Sequence, residues 1–104
     1  MFCLGVIVAL GTDFNPNAYC LSMPVAMYLA CILFRMSLEE ALVASTINAA
    51  ASIGRGKTHG ALHNGRVADI VMTDVPSWEH VIYRIPSTGI IKAVFKGGKC
   101  AWKE

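Results

Sequence analysis

At 104 residues the chain can build one small hydrophobic core but not two. Hydrophobic residues make up 55% of it and charged residues only 15%, against about 25% charged in a typical soluble domain, so some of its apolar surface should be covered by a segment outside the chain. The net charge of +2, with Lys and Arg scattered apart from a loose group at Lys92, Lys96, Lys99 and Lys103, excludes a nucleic-acid-binding stripe.

Residues 5–10 read Gly-Val-Ile-Val-Ala-Leu, a continuous β-branched run. Such runs suit a strand buried on both faces, as in a parallel sheet. The run stops at Gly11-Thr12-Asp13, and Asn15-Pro16-Asn17 supplies turn chemistry for a loop over residues 14–21. Ser22 is a fitting N-cap, with Pro24 tolerated in the first turn, and the spacing predicts a helix over residues 23–35 that is apolar on nearly every face and therefore buried. Its longest apolar stretch, residues 23–34, is short of the ~20 residues a membrane span needs. The first ten residues lack the basic start of a signal peptide.

Ser37-Leu38-Glu39-Glu40 is a capping box. The helix it opens should run to about Ile53, with alanines dense enough for another element to pack closely and Gly54 or Gly56 as C-cap. From Lys57 onward short strands are expected. Asn64-Gly65 is a hairpin signal, strands are expected over residues 69–73, 90–95 and 100–102, and Lys96-Gly97-Gly98-Lys99 is a turn. Between Pro76 and Gly89, only a helical turn near Trp78 to Tyr83 is expected. Met23, Met27, Met36 and the aromatic residues are most simply core.

Asp13 carries the sharpest chemistry. In a (β/α)8 barrel, catalytic side chains sit at the C-terminal ends of the strands, and a carboxylate there can ligate a divalent metal or accept a proton from water. It can equally just open a turn. The four cysteines, Cys3, Cys20, Cys31 and Cys100, lack metal-knuckle spacing and suit a reduced, cytoplasmic compartment. His59 and His63 stand four apart in a turn-rich stretch with no Cys pair upstream at finger spacing, which argues against a zinc site there. His80 reads as packing or a surface cluster. Asp69 reads as structural, its carboxylate bonding nearby backbone N–H groups. Gly54-Arg55-Gly56-Lys57-Thr58 lacks the spacing of a phosphate loop.

The stretch from Gly5 through Thr12-Asp13-Phe14-Asn15-Pro16 to Cys20 resembles the final barrel strand and loop of the imidazolonepropionases, most of all their animal form. Thr46-Ile47-Asn48-Ala49-Ala50 with Ile53-Gly54, and His59-Gly60-Ala61-Leu62 with Gly65 to Val71, resemble the post-barrel helix and the small β-domain of the wider amidohydrolase superfamily. The likeness spans essentially the whole chain and is looser from Pro76 to Gly89. It implies an α/β fold: residues 1–56 as the last strand and helices of a (β/α)8 barrel, and residues 57–104 as C-terminal strands of a composite β-domain, together an incomplete domain.

The resemblance further implies metal-dependent hydrolysis of 4-imidazolone-5-propanoate to N-formimidoyl-L-glutamate in histidine degradation. Asp13 would be a ligand of zinc or iron and a carrier of the proton. Asn15, Asn17 and Ala18 would contact substrate, although bacterial members typically carry Gly and then Ser or Thr where this chain has Asn17 and Ala18. A backbone contact can survive that change; a hydroxyl contact at Ala18 cannot. The family's metal-binding histidines, a His-x-His pair among them, have no counterpart in this chain, whose three histidines all lie after the barrel portion. The expected partners are the missing N-terminal barrel segment and a second copy of the full-length enzyme. The isolated chain is expected to be inactive. Two other readings stay open: another cyclic-amide hydrolase or deaminase of the superfamily, and a truncated product that acts only by binding.

Overall fold

The computed structural model describes residues 5–84 and 89–104; Cys3 and Pro86 lie outside them. Helices come first: α1 (Met23–Leu33), α2 (Leu38–Ser45) and α3 (Ile47–Ser52). The strands β1 (Ile70–Thr73), β2 (Ile91–Lys96) and β3 (Lys99–Lys103) follow, with the single turn α4 (His80–Tyr83) between β1 and β2. The strands form one antiparallel sheet in the order β1-β2-β3.

Local chemistry sets most element ends. The Ser22 hydroxyl accepts the Val25 N–H at the start of α1, where Pro24 gives up no helical hydrogen bond. The Ser37 hydroxyl accepts the Glu40 N–H at 3.1 Å and the Glu40 carboxylate accepts the Ser37 N–H, closing the capping box of α2. Ser37→Ala should therefore cost about 1 kcal/mol, read as a lower urea midpoint with an unchanged slope; no shift would mean that tertiary packing alone holds this end. At the end of α3, Gly54 sits at φ +75, its N–H on the Ala51 carbonyl and that of Arg55 on the Ala50 carbonyl, the paired bonds of a Schellman end. Gly97 and Gly98 at φ +58 and +81 make a type I′ turn, the hairpin turn whose twist matches its strands.

The run over residues 5–10 is extended; it pairs with no strand among the described residues, and its Leu10 N–H donates to the Ala44 carbonyl at 2.9 Å. Four expectations need correction. The expected single helix from Leu38 to Ile53 breaks at Thr46, whose φ −116 and ψ −87 are not helical. Hydroxyls of Ser45 and Thr46 donate back to the Ala41 and Leu42 carbonyls at 2.6 and 2.7 Å, a side-chain competition that bends helices. Asn64-Gly65 turns the chain but makes no strand hairpin. Gly65 has φ +86 whereas Asn64 does not enter the left-handed region, so the turn closed by the Arg66 N–H on the His63 carbonyl is type II rather than I′.

Finally, α1 is not buried all round. Met27 and Ala30 face inward, whereas Tyr28, Leu29, Ile32 and Leu33 are exposed. Most aromatic side chains are likewise half-exposed or more, with Trp78 as a partly buried exception, while Met27 and Met36 are buried as expected.

The core is small and alanine-rich. Ala41 and Ala44 of α2 have no accessible surface and let α1 approach closely. Ile82 of α4, 1% exposed, closes one cluster with Met27 and Ala41, and Met36 joins Ala30 and Ala44 in the other. Leu10 packs against both. The segment after β1 thus crosses back onto α1, tying the strand-rich half to the helical half. Also on that crossover, Glu79 Oε2 and His80 Nδ1 are buried without a hydrogen-bond partner among the described residues.

Between α3 and β1 the chain is held by Arg66, whose Nη1 donates to the carbonyls of Gly56 and His59 at 2.5 and 2.7 Å. Asp69 is structural as expected, but its partners are distant in sequence: one carboxylate oxygen accepts the Lys96 ammonium at 2.5 Å and the other the Gly97 N–H at 2.9 Å. The Lys96 bond first, and then the Gly97 bond, hold its carboxyl below the ordinary aspartate range. A folded-state pKa below the unfolded one adds stability that is present above the unfolded value and fades as pH falls through the native value. Asp69→Asn should flatten that acid limb of the urea midpoint and leave its alkaline side alone. An unchanged acid limb would show that solvent screens the pair fully.

Candidate functional site

The extended run delivers the chain to a tight loop that holds Asp13, Asn15, Asn17 and Ala18. Asp13 stands at φ +52, one of two non-glycine residues with positive φ among those described. Aspartate tolerates this conformation better than most residues because its short polar side chain can bond locally. Here the side chain does not: it is exposed, and its carboxylate has no partner among the described residues.

The neighbouring Asn15 spends its amide on the loop instead. Its Nδ2 donates to the Asp13 carbonyl at 2.5 Å and its Oδ1 accepts the Asn17 N–H at 2.9 Å. Asn15 and Ala18 exchange both backbone bonds, at 3.2 and 3.1 Å, across a turn with Pro16 and Asn17 at its centre. Phe14 and Tyr19 close the loop edge to face, ring centroids 5.1 Å apart. The result is a stapled corner that presents a free carboxylate.

The loop leaves specific groups for a ligand. Asn15 keeps one amide hydrogen and one lone pair, and the Asn17 side chain is exposed. Ala18 has both backbone groups engaged, its N–H on Asn15 and its carbonyl accepting from Asn15 and Cys20. A ligand contact through the Ala18 N–H would therefore have to displace a turn bond.

The histidines are elsewhere. The Nδ1 of His59 meets the Thr58 hydroxyl at 2.7 Å, and that of His63 its neighbour's carbonyl at 2.9 Å. Among the described residues no group of three or more His, Cys, Asp or Glu side chains could hold a metal ion. One carboxylate does not make a divalent site, so these residues by themselves do not fit zinc or iron. No helix among the described residues is long and apolar enough to cross a membrane.

Two residues gain a role that the sequence did not assign. Asn48 donates its side-chain Nδ2 to the Val8 carbonyl at 3.0 Å, forty positions away in the chain. A polar residue inside an alanine-rich helix was the available signal. Gly60, at φ +87, lies so close to α3 that a Cβ would sit 2.8 Å from the Thr46 carbonyl oxygen and 2.9 Å from the Ile47 Cα.

The sequence profile of the amidohydrolase family matches residues 1–101. The chain is similar to a probable imidazolonepropionase of Nematostella vectensis, 56% identical over 96% of this chain and 24% of that protein. It is also similar to the probable human imidazolonepropionase, 51% identical over 95% of the chain and 24% of the relative, and to the imidazolonepropionase of Clostridium tetani, 42% identical over 96% and 24%. The crystal structure of an amidohydrolase from Thermotoga maritima superposes with a TM-score of 0.77 at 22% identity, over 99% of this chain and 24% of that one. The chain thus spans about a quarter of the length of these relatives.

Proposed function

The chain belongs to the amidohydrolase family, and on that footing we propose that it is the C-terminal part of an imidazolonepropionase, whose whole length hydrolyses 4-imidazolone-5-propanoate to N-formimidoyl-L-glutamate. The observation that carries this reading is the Thr12-Asp13-Phe14-Asn15-Pro16 corner, with its carboxylate unengaged at the end of an extended segment. In the same reading, residues 1–56 are the last strand and helices of the barrel and residues 57–104 the C-terminal strands of the β-domain. The missing barrel neighbours would cover Val6, Ile7 and the outer face of α1. Ile7 at 80% exposure and Leu33 at 67% are large apolar side chains of the kind that mark an uncovered contact surface.

The reaction adds one water. Its oxygen bonds to the lactam carbonyl carbon, the ring C–N bond breaks, and the ring nitrogen leaves with a proton. Asp13 accepts a proton from the attacking water and returns it to the leaving nitrogen, while the free Asn15 and Asn17 amide groups orient the substrate. A zinc or iron ion, whose other ligands would come from the rest of the protein, would polarise the carbonyl. The C-terminal quarter alone lacks those ligands and is inactive in this reading.

The test follows substrate loss and N-formimidoyl-L-glutamate formation with the longer protein that carries this sequence, and with the 104-residue chain on its own. Turnover by the longer protein and none by the short chain is the expected result. A longer protein that opens another cyclic amide or deaminates, and leaves imidazolone propanoate untouched, would overturn the substrate assignment.

A further inference from the structure

Among the described residues, helix contacts hold the extended segment that ends in Asp13. Two hydrogen bonds and one side chain do so. The Leu10 N–H donates to the Ala44 carbonyl at 2.9 Å, the Asn48 amide donates to the Val8 carbonyl at 3.0 Å, and Leu10 fills the space between the two core clusters. In an extended chain a C=O and the N–H two residues on point to the same edge. One helix corner therefore grips both.

The corner exists because the helix breaks at Thr46. In an unbroken α-helix the Ala44 carbonyl would accept the Asn48 N–H. With Thr46 at φ −116 and ψ −87, α2 ends at Ser45, and the Ala44 carbonyl accepts from Leu10 instead. The same break begins α3 at Ile47 and places Asn48 in its first turn, within reach of Val8. Asparagine is a poor helix former, and in the alanine-rich α3 its side chain is used on the extended segment rather than on the helix.

We propose that the Thr46-Ile47-Asn48 corner is a clamp that fixes the Asp13 carboxylate for hydrolysis, with Asn48 as its positioning residue; this rests on the reading of Asp13 as the proton carrier. Asp13 lies only three positions beyond Leu10, a reach of about 10 Å at most. Any slip of residues 8–10 therefore passes to the carboxylate, and a misplacement of about 1 Å is enough to cost a reaction around 100-fold.

The experiment uses the longer active protein and Asn48→Asp, which keeps the side chain's shape but replaces the donor with an acceptor facing the Val8 carbonyl. Asn48→Ala serves as second variant in case the charge prevents folding. The expected result is a 10- to 100-fold lower kcat with KM within about twofold. In an Asp13→Asn background the same Asn48 change should have almost no further effect on residual turnover, because the residue acts through Asp13. Equal losses in both backgrounds, or a loss confined to KM, would overturn the clamp. Amide exchange at Leu10 separates this proposal from the assignment of Asp13. It should accelerate in the Asn48 variants whatever the fate of activity, and unchanged protection overturns the clamp even if Asp13 proves catalytic. Full activity in Asp13→Asn with faster Leu10 exchange would instead overturn the proton-carrier reading, and with it the clamp's catalytic purpose.

Discussion

In the longer protein, Asp13→Asn should lower imidazolone hydrolysis by about 100- to 10,000-fold, the range of a lost general base, while leaving the fold intact. Asparagine is the informative replacement because it accepts the left-handed backbone that Asp13 adopts at φ +52. Alanine would remove the carboxylate and also add about 1 kcal/mol of backbone strain, confounding chemistry with stability. The carboxylate is exposed and unpartnered among the described residues, so no folded-state ion pair is lost with it. The urea midpoint should move little while kcat collapses. Progress curves for substrate loss, normalised to folded protein, check this, and activity within about threefold of the parent would remove Asp13 from the reaction.

The second large effect is on stability. Gly60→Ala should destabilise the fold by about 3 kcal/mol or more, combining left-handed strain with overpacking. The strain follows from φ +87. The overpacking follows from the atoms a methyl group would meet: the Thr46 carbonyl oxygen at 2.8 Å, the Ile47 Cα at 2.9 Å and the Ala50 Cβ at 3.0 Å. Two of these are backbone and cannot rotate away. That carbonyl also accepts the Ala50 N–H, so pushing it aside loosens the first turn of α3. By contrast, Gly65→Ala meets no atom within 4 Å despite its φ of +86 and should cost only the strain. Paired urea titrations of the two variants isolate the contact. Equal losses would show that the approach of residues 57–60 to α3 relaxes freely.

The parts legible from sequence are those decided within a few residues. The Ser22 cap, the Ser37-to-Glu40 box, the helix end at Gly54 (one of the two glycines expected there) and the Gly97-Gly98 turn each depend on one side chain or one glycine acting on its neighbours, and each is seen in the structure. The three strands likewise follow their β-branched and aromatic residues to within a residue or so. The helix break at Thr46 was not legible. The apolar period of α2 runs on through α3; the Ser45 and Thr46 hydroxyls are the local mark of the break, while the other contacts at it come from elsewhere in the chain: the Leu10 N–H on the Ala44 carbonyl, and Gly60 backed closely against Thr46. The exposed faces of α1 misled for the same reason, because composition shows that a face is apolar but not whether its cover lies within these residues. In the loop, the sequence placed Asp13, Asn15, Asn17 and Ala18 together, and the structure keeps them together. The use of the Asn15 amide to staple the loop depends on a backbone path that residue identities do not reveal.

The two outer strands of the sheet differ in a way that bears on handling the chain. The strand β3 is exposed along its whole length and carries Lys99 and Lys103, charges of the kind that discourage a further strand from adding. The other border, β1, is Ile70-Val71-Met72-Thr73, short and uncharged, with Val71 and Met72 open to solvent. This border carries no charge to oppose a further strand, and its shortness is what limits pairing there. Where nothing lies against that strand, Ile70 to Thr73 joins the exposed face of α1 as a second place at which copies of the chain can associate.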